Sequence, residues 1–137
     1  MKTYQEYCDI YNNLRKECVN DIITILNERG VKYINVHAYH IDDAIDENAW
    51  IDTNDKNGYG VTCTIDNIYF EDGEWRLDLV NEDEDPFDDW AITDFNVDAG
   101  AAIDIYGMIL AIFEYADENN NGRICGKGED LDDLEEE

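Results

Sequence analysis

The chain has 137 residues, of which 35 are acidic and 9 are basic, so its formal net charge is -26 at neutral pH. This charge excludes nucleic acid and anionic membranes as direct partners, because their phosphate groups repel it, and it favours basic protein surfaces. The hydrophobic fraction of 44% and the aromatic fraction of 12% exclude a wholly disordered acidic chain and indicate a folded domain.

The first predicted element is a long helix over residues 3–29. Thr3 followed by Glu6 is the pattern of a capping box, in which two side chains satisfy free backbone N–H groups at a helix start. Gly30 stands where a left-handed residue ends a helix. Apolar residues recur at spacings of three and four, namely Tyr4, Cys8, Tyr11, Leu14, Cys18, Ile22 and Ile25 or Leu26.

A sheet is predicted to follow this helix. Residues 33–41 alternate on a two-residue period and predict a strand. The polar interval 42–58 leaves two alternatives open, a short helix or an irregular hairpin around residues 44–51. Residues 59–70 and 74–80 predict two strands, and the Asp72-Gly73 dipeptide between them favours a two-residue hairpin turn. That turn would place Phe70 opposite Trp75 and Ile68 opposite Leu77, with all four side chains on one face.

The remaining elements are an acidic loop, a fourth strand and a second helix. The loop is expected over residues 81–89, which include the single proline, and the strand over residues 90–95. Asp98 is a candidate N-cap for the helix. The helix would bury an apolar face made of Ala102, Ile105, Ile109, Ile112, Phe113 and Ala116.

These elements predict an α+β fold with an N-terminal helix, a small antiparallel sheet of three or four strands, a second helix and an acidic C-terminal tail. Residues 1–128 are expected to form a single domain. Residues 129–137 carry seven acids and are expected to be flexible. The first ten residues lack the apolar core of a signal peptide, and no apolar run is long enough to cross a bilayer, so we expect a soluble cytoplasmic protein.

The negative charge is confined to the later part of the sequence. Residues 1–41 contain five acids and five bases, and are therefore neutral. The other 30 acids lie in residues 42–137, where only four bases oppose them, so this part carries the entire charge of -26. Acid enrichment that served only solubility should extend to the first 41 residues as well. The distribution therefore indicates a localised acidic surface.

A dense row of carboxylates can imitate the phosphates of a nucleic acid. Alternate residues of a strand project from one face at intervals of about 6.8 Å, and duplex DNA carries one charge per about 1.7 Å of axis. We expect the patch to lie at the hairpin tip and in the following acidic segment. Its candidate residues are Glu71, Asp72, Glu74, Glu82, Asp83, Glu84, Asp85, Asp88, Asp89 and Asp94.

In its charge, the chain resembles the small acidic nucleic-acid mimics that inhibit restriction and CRISPR systems, a set of proteins without a common motif. The resemblance implies a non-enzymatic protein that blocks the basic groove of a nucleic-acid-processing protein. Two alternatives stay open, a calcium-responsive module and a structural protein whose acids only solubilise it.

The calcium alternative depends on the sequence after the second helix. Residues 117–129 resemble an incomplete EF-hand or dockerin-type loop, with a glycine at position 6 and its ligands at positions 1, 3, 5 and 7. The resemblance implies Ca²⁺ as the ion. Position 12, where the family has a bidentate glutamate, is Gly128, and Glu129 stands one residue late. An ordinary helix C-cap is the other interpretation of the Asn-Gly pair. The candidate ligands are Asp117, Asn119, Asn121 and Arg123.

The sequence gives no catalytic prediction. His37 and His40 are its only histidines, and on the predicted strand they would face opposite sides. No phosphate-binding loop, nucleophile motif or HExxH pattern is present, so we expect no enzymatic activity. Because the first helix is neutral and rich in tyrosine, whereas the acidic part repels copies of itself, that helix is a candidate surface for a homodimer.

Overall fold

The computed structural model describes residues 1–41, 50–54, 60–81, 86–93 and 99–135, and within these residues it confirms the α+β class. Its helices are α1 (Tyr4–Arg29), α2 (Val36–Ile41), α3 (Ala99–Asn119) and α4 (Leu131–Glu135). Its strands are β1 (Tyr33–Asn35), β2 (Trp50–Asn54), β3 (Gly60–Glu71), β4 (Glu74–Asn81) and β5 (Pro86–Ala91).

Both ends of α1 form as the sequence predicts. Thr3 is the N-cap, and its hydroxyl accepts a hydrogen bond from the Glu6 N–H at 3.1 Å. The Glu6 carboxylate accepts in return from the Thr3 N–H, which completes the capping box. At the other end Gly30 adopts a φ of 80° and donates its N–H to the Asn27 carbonyl. The 26-residue helix is thus defined by local signals.

The described strands form one antiparallel sheet around β3. Strand β4 lies along one side of β3 and pairs with β5 on its far side. On the other side of β3, β1 pairs with residues 67–69 and β2 pairs with residues 60–64. The sheet has five strands rather than three or four because β2 forms in the interval that the sequence left open.

The β3–β4 hairpin confirms the predicted register. Asp72 and Gly73 have φ angles of 53° and 81°, as a two-residue hairpin turn requires. Phe70 lies opposite Trp75 and Ile68 opposite Leu77. The register then shifts between Ile65 and Asn67, so that Asp66 is an extra, bulged residue.

One hydrophobic core joins α1, α2, α3, α4 and the sheet. The predicted apolar face of α3 is buried in full, from Ala102 to Ala116. Helix α1 contributes only residues of its second half to this core. Cys18, Ile22 and Leu26 are buried, whereas the earlier residues of the helix, all of which the structure describes, are not.

The thiols of Cys18 and Cys125 are buried and form no disulfide, and burial raises the pKa of both.

The strand predicted over residues 33–41 is wrong beyond Asn35. Residues 36–41 form α2, because a helical turn brings Val36 and Tyr39 to the same side, where both are fully buried. The Tyr39 hydroxyl also accepts a hydrogen bond from the Cys125 N–H at 3.0 Å. This contact joins residues 86 positions apart, and no local pattern reveals it.

Two later boundaries also differ from the prediction. Strand β5 begins at Pro86, within the expected loop, and ends at Ala91, so the strand predicted over residues 90–95 is displaced toward the N-terminus.

The expected flexibility of residues 129–137 is wrong for α4, whose Leu131 and Leu134 are buried in the core. Burial of these two leucines offsets the entropy of ordering the segment. Asp98 lies outside the described residues.

Candidate acidic binding surface

The tip of the β3–β4 hairpin, residues 71–74, presents three of the predicted acidic residues to solvent. Glu71, Asp72 and Glu74 are all exposed. The register places Glu71 directly opposite Glu74, so two like charges face each other across the turn. Arg76 binds Glu74, with 2.5 Å between Nη1 and Oε1. Lys32, whose Nζ lies 4.4 Å from the centre of the Phe70 ring beside Glu71, is a second basic neighbour of the hairpin tip.

The predicted acidic segment after β4 is described only in part. Glu82, Asp83, Glu84, Asp85 and Asp94 lie outside the described residues. The backbone of β5 places Asp88 opposite Leu79 and Asp89 opposite Asp78 of β4. A second pair of acidic residues thus occupies facing positions on neighbouring strands.

Beside this pair, the outer face of the sheet carries a group of polar side chains. We define the outer-face cluster as Tyr33, His37, Asp66, Asn67, Tyr69 and Asp78. The Tyr69 hydroxyl donates to the Asp78 carboxylate at 3.2 Å. The Asn67 amide donates both to Asp78 at 3.4 Å and to Asp66 at 3.2 Å. Asn67 therefore holds two carboxylates in fixed positions on one surface.

Two aromatic rings extend the outer-face cluster. Tyr33 and Tyr69 stack with 5.9 Å between ring centroids and 26° between ring planes. Both side chains are half-buried. Burial raises the pKa of Tyr33, and the Asp78 and Asp66 carboxylates raise it further, so its hydroxyl stays neutral at physiological pH.

His37 closes the outer-face cluster from α2, with 3.4 Å between its Nδ1 and the Asp66 carboxylate. The bulge at Asp66 turns this side chain toward His37 and Asn67. The prediction that His37 and His40 face opposite sides assumed a strand, whereas both residues lie on α2. The His40 side chain lies outside the described part of the structure.

Carboxylates beside aromatic rings are suited to cationic side chains. A guanidinium group can form paired hydrogen bonds with a carboxylate and stack on a tyrosine ring. In the described part of the chain, no three His, Cys, Asp or Glu side chains are grouped as metal ligands would be. This surface therefore has the chemistry to bind arginine and lysine.

An apolar depression lies next to the hairpin tip. Its volume is about 220 Å³, and its lining includes Ile23 and Asn27 of α1 together with Phe70, Trp75 and Ile92. The Trp75 indole N–H donates to the Asn27 side-chain oxygen at 2.9 Å, which fixes one wall. The acidic hairpin tip is thus bordered by a rigid apolar surface that could accept a partner's side chain.

The predicted calcium ligands are spread over the end of α3. Asp117 and Asn119 both belong to its last turn, and residues two apart on a helix face different sides. The Asn119 amide donates to the Tyr115 carbonyl at 3.1 Å. Asn121 and Gly122 then end the helix with φ angles of 59° and 79°. This geometry corresponds to the C-cap interpretation of the Asn-Gly pair.

A cation from α1 already binds three of the oxygens in this loop. The Arg29 guanidinium donates to both carboxylate oxygens of Asp117, at 2.6 and 3.2 Å, and to the Gly122 carbonyl at 3.0 Å. The hydrogen bond from Arg29 lowers the pKa of Asp117. Arg123, whose carbonyl was the fourth candidate ligand, donates through its side chain to the Leu134 carbonyl at 3.4 Å.

Sequence reasoning missed most of the outer-face cluster, although part of its signal was present. The register set by Asp72-Gly73 also pairs Tyr69 with Arg76 and Asn67 with Asp78, on the face opposite Ile68 and Leu77. The positions of Asp66 and His37 depend on a bulge and on α2, and neither has a local sequence signal.

In the described part of the chain, no helix combines the length and the apolar character needed to cross a bilayer. No protein-family model, curated protein or solved structure matches the chain.

Proposed function

We propose that this chain is a non-enzymatic binding protein whose acidic surface occupies the basic groove of a nucleic-acid-processing protein. The observation that supports this proposal is the placement of acidic residues at facing positions on neighbouring strands, Glu71 with Glu74 and Asp78 with Asp89. Like charges directly opposite each other destabilise a sheet. Within the chain, Arg76 offsets part of this repulsion at Glu74, and a partner that supplies positive charge would relieve more of it.

The spacing of these positions suits a groove that binds phosphates. Glu74 and Asp78 lie four residues apart on β4, so about 13.6 Å separates them along the strand, which is four times the axial spacing of about 3.4 Å between charges on one DNA strand. The stacked rings of Tyr33 and Tyr69 lie beside the Asp78 carboxylate, as stacked bases lie beside phosphates. Arginine side chains of a nucleic-acid groove could therefore bind carboxylates and rings together.

Capture of a partner by the immobilised full-length chain tests the proposal. Proteins retained from a cell lysate at low salt are identified and purified, and their binding to nucleic acid is measured with and without this chain. We expect competition with nucleic acid and a steep loss of binding as salt rises, because the contacts are ionic. Capture only of proteins that bind no nucleic acid, or binding indifferent to salt, would refute the proposal.

A matched pair of variants locates the contact. The triple substitution Glu71→Gln, Asp72→Asn and Glu74→Gln removes three charges from the hairpin tip, and asparagine tolerates the left-handed backbone at position 72. At about 0.5 kcal/mol for each exposed ion pair, we expect partner affinity to fall by roughly tenfold.

The control variant removes three charges elsewhere. Asp104→Asn, Glu114→Gln and Glu118→Gln neutralise exposed acids of α3 and change the net charge by the same amount. We expect this variant to bind the partner more tightly than the hairpin-tip variant does. The three charges that it removes lie outside the proposed contact and act on the partner only through the long-range electrostatic field. Equal affinities for the two variants would indicate that overall charge alone is responsible, as the solubility alternative implies.

A further inference from the structure

The first half of α1, residues 4–17, exposes an apolar stripe. The structure describes all of these residues, and none of them is buried. The large apolar side chains are 45% to 84% exposed: Tyr4, Tyr7, Ile10, Tyr11 and Leu14. At about 3.6 residues per turn, four of them share the face that Cys18 and Ile22 bury further along the helix. The apolar face of α1 therefore continues into its first half, where these side chains are exposed.

The exposed stripe leaves apolar area of the helix in contact with water. Most helix stability in proteins comes from packing an apolar face, and burial of apolar area is favourable. The capping box at Thr3 and Glu6 shows that the first turn is well formed. A second helix packed against the stripe would bury the area that is exposed.

We propose that the partner is a second copy of this chain, packed antiparallel along residues 4–17 of α1. Tyr4, Tyr7, Tyr11 and Leu14 are separated by three, four and three positions, and this order reads the same in both directions. A twofold axis at the level of residue 9 therefore places Tyr4 opposite Leu14 and Tyr7 opposite Tyr11, each pair occurring twice.

The body of the domain dictates the antiparallel direction. With the axis at residue 9, the exposed residues from Tyr4 to Leu14 of one copy lie opposite the same exposed residues of the other, and the buried part of each helix, from Cys18 onward, lies outside the contact. A parallel partner would continue along the stripe into space that the domain's own core fills. The antiparallel arrangement avoids this overlap.

Electrostatics favours the same surface. Residues 1–17 contain three acids and three bases, so two such segments meet without net repulsion. Asp9 and Lys16 lie on the side of α1 away from the stripe. At about 1.5 Å per residue the two copies of Cys18 are roughly 27 Å apart, beyond the Debye length of about 8 Å at physiological salt. The two acidic bodies are therefore held apart.

The buried area is that of a modest dimer. With about 200 Å² for each fully exposed side chain, the four residues that share this face expose roughly 470 Å² per copy. Two copies together offer about 940 Å², which falls in the size class of weak, transient interfaces. We therefore expect dissociation in the micromolar range, about 1–100 µM.

Sedimentation equilibrium of the full-length chain, from about 1 µM to 1 mM, tests this proposal. We expect a monomer–dimer equilibrium and, by small-angle X-ray scattering, an elongated dimer with two separated bodies. Tyr7→Glu places a charge in the interface twice, so the dissociation constant should rise by about tenfold or more. A chain that is monomeric at every concentration, or a compact dimer, would overturn the proposal.

Ile103→Glu provides the control. Ile103 is 48% exposed on α3, so the substitution adds the same charge at an apolar residue of similar exposure outside the stripe. We expect its dimerisation to match that of the wild type. Equal loss of the dimer in both variants would contradict the assigned surface. High salt should leave the dimer intact while it releases a basic partner, so the two proposals can fail separately.

Discussion

The two halves of α1 have the same pattern and different surroundings. Both carry apolar residues at spacings of three and four on one continuous face. In the second half these residues are buried, with Leu26 fully inaccessible, whereas in the first half Leu14 is 45% exposed. Helical periodicity predicts that an apolar face will be covered. It does not predict whether the covering atoms belong to the same chain.

The charge distribution of the chain follows the same division. Residues 1–17, which include the exposed half of α1, are neutral, and the net charge of -26 belongs to the residues that follow position 41. The molecule thus has a neutral apolar surface and a highly charged surface, and these favour different partners. The first binds through burial of apolar area, and the second through ionic contacts. The two proposals therefore concern separate surfaces with opposite responses to salt.

The largest expected effect comes from replacing one leucine with alanine in each half of the helix and comparing the two variants. Leu26→Ala leaves a cavity in the core and should lower the free energy of unfolding by about 2–5 kcal/mol. Leu14→Ala removes no contact within the described core and should change the stability of the monomer by less than about 0.5 kcal/mol. Urea denaturation of both variants at low protein concentration measures the difference.

The same two substitutions should affect dimerisation in the reverse order. Leu14→Ala should weaken self-association, because Leu14 lies in the proposed interface. Leu26→Ala should leave the association of its folded fraction unchanged. If Leu14→Ala destabilised the monomer as much as Leu26→Ala, the two halves of α1 would not differ in the way the structure indicates.

Local signals in the sequence were enough to predict the boundaries of α1 and of the β3–β4 hairpin. Thr3, Glu6 and Gly30 define α1 because capping groups lie within a few residues of the backbone groups that they satisfy. Asp72-Gly73 defines the hairpin because few residue types adopt its backbone angles. These predictions hold because their physical cause is contained in a short segment.

Predictions failed where distant residues determine the structure. Residues 36–41 alternate as a strand does, yet Tyr39 is fixed in a helix by its burial and by the Cys125 N–H. The outer-face cluster forms because α2 brings His37 to the bulge at Asp66. This contact joins two separate elements, and no local sequence pattern predicts it. Three acidic residues of the candidate surface were located correctly at the hairpin tip, because the turn itself positions them.

A smaller effect is expected from the hydrogen bond that joins the second half of α1 to the sheet. Asn27→Ala removes the acceptor of the Trp75 indole N–H, and Trp75 is only 3% exposed. We expect the free energy of unfolding to fall by about 1 kcal/mol. Asn13→Ala makes the same change in the first half of the helix and controls for the higher helix propensity of alanine. Equal stability of the two variants would show that the bond contributes nothing.

Arg29 anchors the end of α1 to the end of α3. Its guanidinium binds Asp117 and Gly122 and lies 4.9 Å from the centre of the Phe113 ring. Because Arg29 lowers the pKa of Asp117, the pair contributes stability above the ordinary carboxyl pKa and loses it as the pH falls through the lowered value. The anchor therefore uses oxygens that the calcium interpretation assigned to a metal ion.

The smallest expected effect is the response to calcium. A calcium ion at Asp117 would have to displace a guanidinium group that already forms three hydrogen bonds, two of them to this carboxylate. We therefore expect Ca²⁺ and Mg²⁺ to raise the melting temperature equally, through general screening of the acidic body, and Asp117→Ala to leave that rise unchanged. A specific site at a hundredfold excess of ion over its Kd would add about 2.7 kcal/mol of stability for Ca²⁺ alone. A thermal shift of that size, selective for Ca²⁺ and absent in Asp117→Ala, would show that Arg29 yields to the ion and that the end of α1 is released when calcium binds.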